Sequence, residues 1–245
     1  MKRRVFILKV ISALTIASLM HFSHAADNLH VITENWVPYN YEVEGEIVGD
    51  ATVHIKKVLK RSGVNYDMTL YPWSRAYKIA LNKKNVLIYS LVRMPVREKL
   101  FVWSRRILDT EFSSLYRLSA RNDIQVNELR DIQKYKIGVI QDSMNYHYLM
   151  GLEFNTELLP VSTDQKLNIN NLLQGHIDMF AASDKSFSQL RKQMGLSDAV
   201  FKQVIPIFKI DPYMAFSKGT SAELIQKINQ AYDDLVAEGE IPEFH

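Results

Sequence analysis

The chain has 245 residues, with 30 basic and 27 acidic side chains, a formal net charge of +3 and no cysteine. The absence of cysteine excludes disulfides, thiolate metal sites and a lipid anchor attached to a cysteine at a cleavage site. Four of the basic residues lie within the first nine positions, and without them 26 basic residues face 27 acidic ones, a net charge of −1, which argues against a nucleic-acid-binding surface.

The N-terminus predicts a secretory signal peptide over residues 1–25. Three basic residues at positions 2–4 precede a mostly apolar run at 5–20, and Ser23 and Ala25 supply the small residues of a cleavage site. The apolar run, about 16 residues interrupted by Lys9, is too short for a membrane-spanning helix, which needs roughly 20. We therefore expect cleavage and a periplasmic mature chain that begins at Ala26.

Strand and helix patterns alternate through the first part of the mature chain. In order, they are a strand at 29–33, a helix at 50–63, a strand at 66–71, a helix at 72–81 and a strand at 86–89. Asp50 is the predicted N-cap of the first helix and Gly63 its C-terminal stop. Pro38 blocks a helix after the first strand, and Pro72 opens the second helix.

The alternation continues after residue 112. In order, the elements are a strand at 115–118, a helix at 126–135, a strand at 136–140, a helix opened by Asp142 or Ser143, a strand at 158–161, a helix at 163–173, a strand at 177–181 and a helix at 185–194. A last helix at 221–238 carries Leu224, Ile228 and Leu235 on one face. Two such series predict an α/β fold of two lobes, each with a doubly wound, largely parallel sheet.

The stretch that follows the 86–89 strand predicts a binding site. It carries Ser90, then Arg93 and Arg97 four residues apart with Pro95 between them, and then the apolar FVWS at 101–104. In α/β sheets, ligands bind at the carboxyl ends of the strands, because loops and helix N-termini converge there. This stretch occupies that edge.

The chain resembles family 3 of the extracellular solute-binding proteins, the type that serves amino-acid uptake transporters. The resemblance covers nearly all of the mature chain and rests first on the 90–104 stretch. Further matching motifs, in order, are TENWVPY at 33–39, IVGD at 47–50, GVIQDS at 138–143, QGHID at 174–178 and LVAEGE at 235–240. The segment PWSRA at 72–76 resembles a divergent branch of the family whose ligands are largely undefined.

The resemblance implies a two-lobed fold of the periplasmic binding protein type II, with a ligand cleft between two sheets. Residues 26–111 and 208–245 would form the first lobe and 112–207 the second, and the lobes would close on binding. It also implies a monomer without cofactor or nucleic acid that delivers its ligand to an inner-membrane ABC permease. A membrane sensor ectodomain is the alternative partner.

The resemblance also implies roles for single residues. Arg97 matches the arginine that forks onto the ligand's carboxylate, a role that its planar guanidinium suits. Ser90 and Ser143 match hydroxyl positions that add hydrogen bonds, and Trp36 and Tyr39 match the aromatic cover of the ligand side chain. On this basis Arg97→Ala is expected to abolish ligand binding and to leave the melting temperature of the empty protein nearly unchanged.

Each of these residues also has an ordinary structural interpretation. Arg97 would be a surface arginine paired with Glu98 or Glu111, Ser143 a plain N-cap, and Trp36 a core residue. Arg93 either adds a second positive charge to the cleft or lies solvated at its rim. For Arg75 a pair with a carboxylate such as Asp67 is the preferred interpretation.

The chain departs from the family where the ligand's ammonium would bind. Ser183 stands where many relatives have an aspartate, with Asp184 one place later, and Asp142 replaces the usual glycine before Ser143. An ammonium without a buried partner would cost a few kcal/mol, so either Asp184 or Glu34 would have to supply the charge. Recognition of a carboxylate is therefore better supported than recognition of an amino acid.

No catalytic residue or metal site is predicted. The sequence has no nucleophile elbow, zinc-binding HExxH motif, dinucleotide-binding motif or phosphate loop, and its histidines are scattered. The alternatives to transport are a dehydratase-like enzyme on the same fold, with Glu34 or Asp184 as general acid, and a module that presents its ligand to a membrane sensor.

Overall fold

The structure, a computed structural model, describes residues 28–244, and the predicted signal peptide lies outside the described residues. The helices are α1 (Asp50–Ser62), α2 (Trp73–Asn82), α3 (Met144–Gly151), α4 (Gln165–Leu173), α5 (Asp184–Gln193) and α6 (Ala222–Ala237). The strands are β1 (Leu29–Thr33), β2 (Tyr41–Val43), β3 (Glu46–Val48), β4 (Tyr66–Leu70), β5 (Val86–Val92), β6 (Phe101–Arg106), β7 (Glu111–Leu118), β8 (Ile137–Ile140), β9 (Val161–Ser162), β10 (Met179–Ser183), β11 (Phe201–Ile210) and β12 (Pro212–Ser217).

The first sheet has the strand order β4-β1-β5-β12-β6. The three strands β4, β1 and β5 run parallel, whereas β12 pairs antiparallel with β5 and β6. Side chains alternate between its two faces: Leu29 and Val31 pack with α1 and α6, while Ile32 packs with Trp73 and Ala76 of α2. Helices therefore cover both faces, as in a doubly wound sheet.

The second sheet has the order β11-β7-β10-β8-β9, with β8 parallel to both β9 and β10 and β7 antiparallel to β10 and β11. Its faces pack into two separate apolar clusters, one around Ile137 and Val139 and the other around Phe180 and Phe187. The chain passes from the first sheet to the second between Arg106 and Glu111. It returns between β11 and β12, next to Asp211.

The predicted α/β fold with two sheets is confirmed, and most of the predicted elements are present. The strands β2, β3, β6, β11 and β12 were not predicted. Both sheets are mixed rather than largely parallel, because β12 is antiparallel to β5 and β6, and β7 is antiparallel to β10 and β11. The helix predicted at 126–135 is wrong: only a 3-10 helix at Leu129–Lys134 forms, capped by reciprocal bonds between Glu128 and Asp131. The predicted N-cap Asp50 is the first residue of α1, and Gly49 precedes it at φ 113°.

Among residues 28–244, no helix is long and apolar enough to cross a membrane.

Candidate functional site

A cleft of about 560 Å³ lies between the two sheets, at the carboxyl ends of β1, β5, β8 and β10. Its walls come from the loops and helix starts that follow these strands, which is the edge where α/β sheets bind ligands. Six of the nine predicted site residues line it, namely Glu34, Trp36, Ser90, Arg97, Ser143 and Ser183.

Arg97 is the most buried charged residue of the cleft, with 1% of its surface exposed. The 3-10 helix Pro95–Arg97 turns it back under β5, where Nη1 donates to the Val92 carbonyl over 3.1 Å. Nη2 donates to the Asp142 carbonyl at 2.9 Å, and Nε has no partner among the described residues. Burial lowers the pKa of Arg97 from its ordinary value, but an arginine stays protonated in proteins.

Two aromatic rings enclose the Arg97 guanidinium. Its central carbon lies 5.1 Å from the ring of Trp73 and 5.0 Å from that of Tyr77, both on α2. Cations are attracted to the faces of such rings. The predicted alternative pairs do not form, because Glu98 pairs with Arg93 and the Glu111 carboxylate accepts from Ser183.

Glu34 follows β1, lines the cleft and lies close enough to Arg97 for their charges to interact. Part of its surface is open to the cleft, yet the surrounding protein removes most of the hydration of its carboxyl group. This burial raises the pKa of Glu34 to about 8, and the positive charge of Arg97 opposes the increase. At neutral pH the carboxyl therefore holds its proton for much of the time and responds to a charge placed beside it.

The two predicted hydroxyl positions lie on opposite sides of the cleft. Ser90 is buried in β5 with φ 61°, and its Oγ donates to Asn40 Oδ1 at 2.5 Å. Ser143 caps α3 by accepting a bond from the Tyr146 N–H over 3.2 Å. Just before it, Asp142 adopts φ 58°, a left-handed conformation in which glycine is commonest.

Ser183 also lines the cleft, but its hydroxyl is already engaged. It caps α5 by accepting from the Ser186 N–H and donates to Glu111 Oε1 at 2.7 Å. The second Glu111 oxygen accepts from the main-chain N–H of Lys185. Burial raises the pKa of Glu111, and these bonds oppose the shift.

The other three predicted site residues lie outside the lining of the cleft. Tyr39 packs against Trp36 and lines a separate cavity of about 360 Å³.

Arg93 is exposed and forms a two-pronged ion pair with Glu98 at 2.9 and 2.5 Å. Asp184 is the first residue of α5, accepts from the Tyr116 hydroxyl at 2.8 Å and does not line the cleft.

The predicted pair of Arg75 with Asp67 does not form. The guanidinium of Arg75 lies over the ring of Tyr71, 4.7 Å from its centre. Asp67 instead pairs with the ring nitrogen of His30 on the neighbouring strand β1.

Sequence reasoning missed several residues of the cleft. Trp73 and Asn145 line it, and so does the first turn of α4 from Gln165 to Leu167. The motif at 72–76 pointed to Trp73, but only as a mark of a family branch. The α4 turn carried no motif. Its position follows from the pairing of β9 with β8, because α4 begins directly after β9.

No group of three or more potential metal ligands occurs among the described residues. His147, on α3, lines none of the cleft, and its buried Nε2 has no partner within residues 28–244. Burial lowers the pKa of His147, and the charge of Arg97 acts in the same direction.

Residues 29–245 match the profile of the bacterial extracellular solute-binding proteins, family 3. No curated protein sequence matches this chain.

Solved structures share the fold at low sequence identity. A histidine kinase sensor domain with similarity to periplasmic binding proteins has a TM-score of 0.77 and 14% identity, over 87% of this chain and 92% of that one. The arginine-, lysine-, histidine-binding protein ArtJ from Geobacillus stearothermophilus has a TM-score of 0.73 and 16% identity, over 87% and 91%. An ancestral arginine-binding protein bound to arginine has a TM-score of 0.72 and 20% identity, over 86% and 93%. The fold is thus that of the type II periplasmic binding proteins.

Proposed function

Because the chain belongs to the bacterial extracellular solute-binding proteins of family 3, we propose that it captures a small solute with a carboxylate group, an amino acid or a related compound. The ligand would bind in the cleft between the two sheets and be delivered to an inner-membrane ABC importer. The observation that carries this proposal is the pairing of a buried guanidinium, Arg97, with a protonatable carboxyl, Glu34, in one cleft.

Arg97 keeps donors for a ligand carboxylate. A guanidinium has five N–H groups in a planar fork; the terminal nitrogens donate to the Val92 and Asp142 carbonyls, Tyr77 is a further partner, and Nε has no partner among the described residues. The contacts with Trp73 and Tyr77 hold the plane of the fork, so little conformational entropy would be lost on binding. Ser90 and Asn145 would complete the polar surround of the carboxylate.

Glu34 is our candidate partner for a ligand ammonium. It lines the cleft, whereas Asp184 is turned toward Tyr116 and Gln203. A cation beside Glu34 would lower its pKa and draw off its proton, so the site would gain a full counter-charge only when the ligand brings one. This supports an amino acid over a plain carboxylic acid.

We further propose that the two sheets with their helices act as two lobes that close over the ligand. The predicted second lobe, residues 112–207, is extended to 111–210, because β7 begins at Glu111 and β11 pairs with it as far as Ile210; residues 26–110 with 211–245 form the first lobe. The chain crosses between the sheets only twice among the described residues, and both crossings are short. Short paired crossings favour a hinge motion over independent domain movement. We expect the mature protein to be a periplasmic monomer after removal of residues 1–25.

The proposal is tested by a thermal-shift panel of amino acids, dipeptides, polyamines and small organic acids on protein exported through its own N-terminus and stripped of ligand by refolding. A ligand at about a hundred times its dissociation constant adds roughly 2.7 kcal/mol of stability. A hit that disappears in Arg97→Ala but persists in Arg105→Ala supports the site, since Arg105 lies outside the cleft and pairs with Asp233. A panel without a hit among carboxylates would contradict it.

The partner needs a separate test. An arginine-, lysine-, histidine-binding protein and a histidine kinase sensor domain share this fold, so an importer and a sensor are tested against each other. Ligand-dependent uptake into cells that carry or lack the gene would support the importer. Ligand-dependent phosphorylation without uptake would support the sensor.

Glu34 also favours one enzymatic alternative. A carboxyl with a pKa of about 8 in a cleft is poised to donate a proton, as a dehydratase-like reaction on a bound acid requires. Proton NMR of the panel hit incubated with protein would show loss of water from the ligand if this holds. An unchanged ligand spectrum supports simple binding.

A further inference from the structure

Trp73 contacts both walls of the cleft. It is the first residue of α2, beside the first sheet, and is 5% exposed. Its indole Nε1 donates to the main-chain carbonyl of Asp142, 2.8 Å away, in the loop that follows β8 of the second sheet. The same ring lies against the Arg97 guanidinium.

The Asp142 carbonyl is the meeting point of these contacts. It accepts from Trp73 Nε1 and from Arg97 Nη2, so both of its lone pairs are used. Asp142 reaches this orientation with φ 58°, a left-handed conformation that is uncommon outside glycine and that aspartate and asparagine adopt more often than other residues. A strained residue is maintained only where its surroundings hold it in place, and here two donors from the other wall do so.

A second contact lies one turn further along α2. Tyr77 stacks on Trp73, with ring centres 5.4 Å apart, and faces His147 of α3 at 6.1 Å. Tyr77 thereby links α2 to α3. All these groups belong to the protein, so the contact needs no ligand to complete it.

We propose that Trp73 is a positioning residue that latches the two lobes through the Asp142 carbonyl and fixes Arg97 for the ligand. The inference rests on the proposed closure of the lobes. It implies that part of the ligand-free population is already closed, and that a ligand adds its contacts to a latch built by the protein. The net free energy of one hydrogen bond changes the ratio of closed to open molecules by between about two-fold and ten-fold.

The ordinary alternative is that Trp73 only fills the core. Phenylalanine separates the two, because Trp73→Phe keeps an aromatic ring but has no N–H to donate. Trp103→Phe is the matched control. Trp103 also donates from Nε1, to the Glu98 carbonyl at 3.2 Å, but both residues belong to the first lobe.

The experiment measures the distance between the lobes in refolded, ligand-free protein. Because the chain has no cysteine, cysteines introduced at the exposed positions Lys83 and Glu157 can be spin-labelled without side reactions. Double electron–electron resonance should resolve a short and a long distance in the parent protein. Trp73→Phe should lower the short-to-long ratio by at least about two-fold, and Trp103→Phe should leave it unchanged.

Identical distance distributions for the parent and Trp73→Phe would overturn the latch, and so would a parent protein with only the long distance. A second measurement uses the parent protein without any substitution, so misfolding of the Trp73→Phe variant does not affect it. The indole N–H of Trp73 should exchange with solvent at least about ten times more slowly than that of Trp36, which has no acceptor among the described residues. Equal exchange rates would also overturn the proposal.

The latch and the proposed function fail separately. A distance ratio that changes in Trp73→Phe, together with a thermal-shift panel in which no carboxylate binds, would support the latch and contradict carboxylate capture. A panel hit that needs Arg97, together with unchanged distances in Trp73→Phe, would support capture and contradict the latch.

Discussion

Arg97 Nη2 donates to the main-chain carbonyl of Asp142 at 2.9 Å, which joins the segment after β5 in the first sheet to the loop after β8 in the second. The arginine that the motif marks for ligand binding is therefore also part of the contact between the two walls. Its guanidinium is nearly inaccessible to solvent and is enclosed by two rings. Binding and stability are thus coupled at this residue.

Arg97→Ala should lower the stability of the ligand-free protein, contrary to the expectation from the sequence. The substitution leaves a cavity between Trp73 and Tyr77 and removes the donor to the Val92 carbonyl. Such losses cost about 2 kcal/mol or more, equivalent to roughly 4–8 °C in melting temperature for a chain of this size. Thermal unfolding followed by circular dichroism measures this change.

Arg105→Ala is the control, because the exposed ion pair of Arg105 with Asp233 should contribute about 1 kcal/mol or less. Equal melting temperatures for Arg97→Ala and the parent protein would show that the enclosed guanidinium adds nothing to stability. The interpretation of Arg97 as a residue of both site and fold would then be wrong.

Glu34 should make stability depend on pH. Burial raises its pKa from 4.5 to about 8, so the folded chain holds the proton more tightly than the unfolded chain. The stabilising contribution is therefore complete below pH 4.5 and is lost as the pH rises to about 8. Glu34→Gln removes this titration and should gain stability relative to the parent as the pH increases.

Urea unfolding at about pH 5 and about pH 9 measures this effect. Each unit of pKa shift corresponds to about 1.4 kcal/mol, and because Glu34 is partly exposed we expect a change of roughly 2 kcal/mol between the two conditions. Glu46→Gln, at an exposed position of β3, should show none of it. A difference between parent and Glu34→Gln that stays constant with pH would contradict the raised pKa.

The elements with strong local signals could be predicted from the sequence. Helix α6 follows from its apolar face and its Ser221 cap, and α2 from the proline before it. Strands β11 and β12 could not be predicted, because Pro206 lies within β11, Pro212 separates β11 from the rest of β12, and their pairing partners lie about a hundred residues away. Tertiary pairing, not local preference, forms those strands.

The site residues likewise divide into those that the local sequence indicates and those whose position depends on tertiary contacts. The motif pointed to Arg97 and Ser90 as cleft residues because they follow the strand predicted at 86–89; β5 runs on to Val92, so Ser90 lies within it, and both residues line the cleft. The motif could not show which way the Asp184 side chain points. A shift of one residue at the start of α5 decides whether a side chain faces the cleft or Tyr116. Nor could the motif show that Arg93 is paired outside the cleft, because Glu98 reaches it only through the turn at Pro95.

Asp184→Ala should leave ligand binding within about two-fold of the parent, since its carboxylate is held by Tyr116 and Gln203 outside the cleft. Glu34→Gln should weaken binding of an ammonium-bearing ligand at least about ten-fold and spare ligands without one. Isothermal titration calorimetry with the panel hit and its deaminated analogue measures both. If Asp184→Ala carries the loss instead, the ammonium site lies beside α5 and the assignment to Glu34 is wrong.

Gly138→Ala should destabilise the second lobe, because an added Cβ at this position of β8 would come within 2.6 Å of Ile177 Cδ1 and 2.8 Å of Asn168 Oδ1. Asn168 is 1% exposed and accepts from Ser162, so it has little room to move. Overpacking of this kind costs about 1–3 kcal/mol. Gly151→Ala, at the end of α3 with open space around its Cα, is the matched control and should be neutral or slightly stabilising. Urea unfolding compares the two variants, and equal midpoints would show that β8 and its neighbours can shift apart without cost.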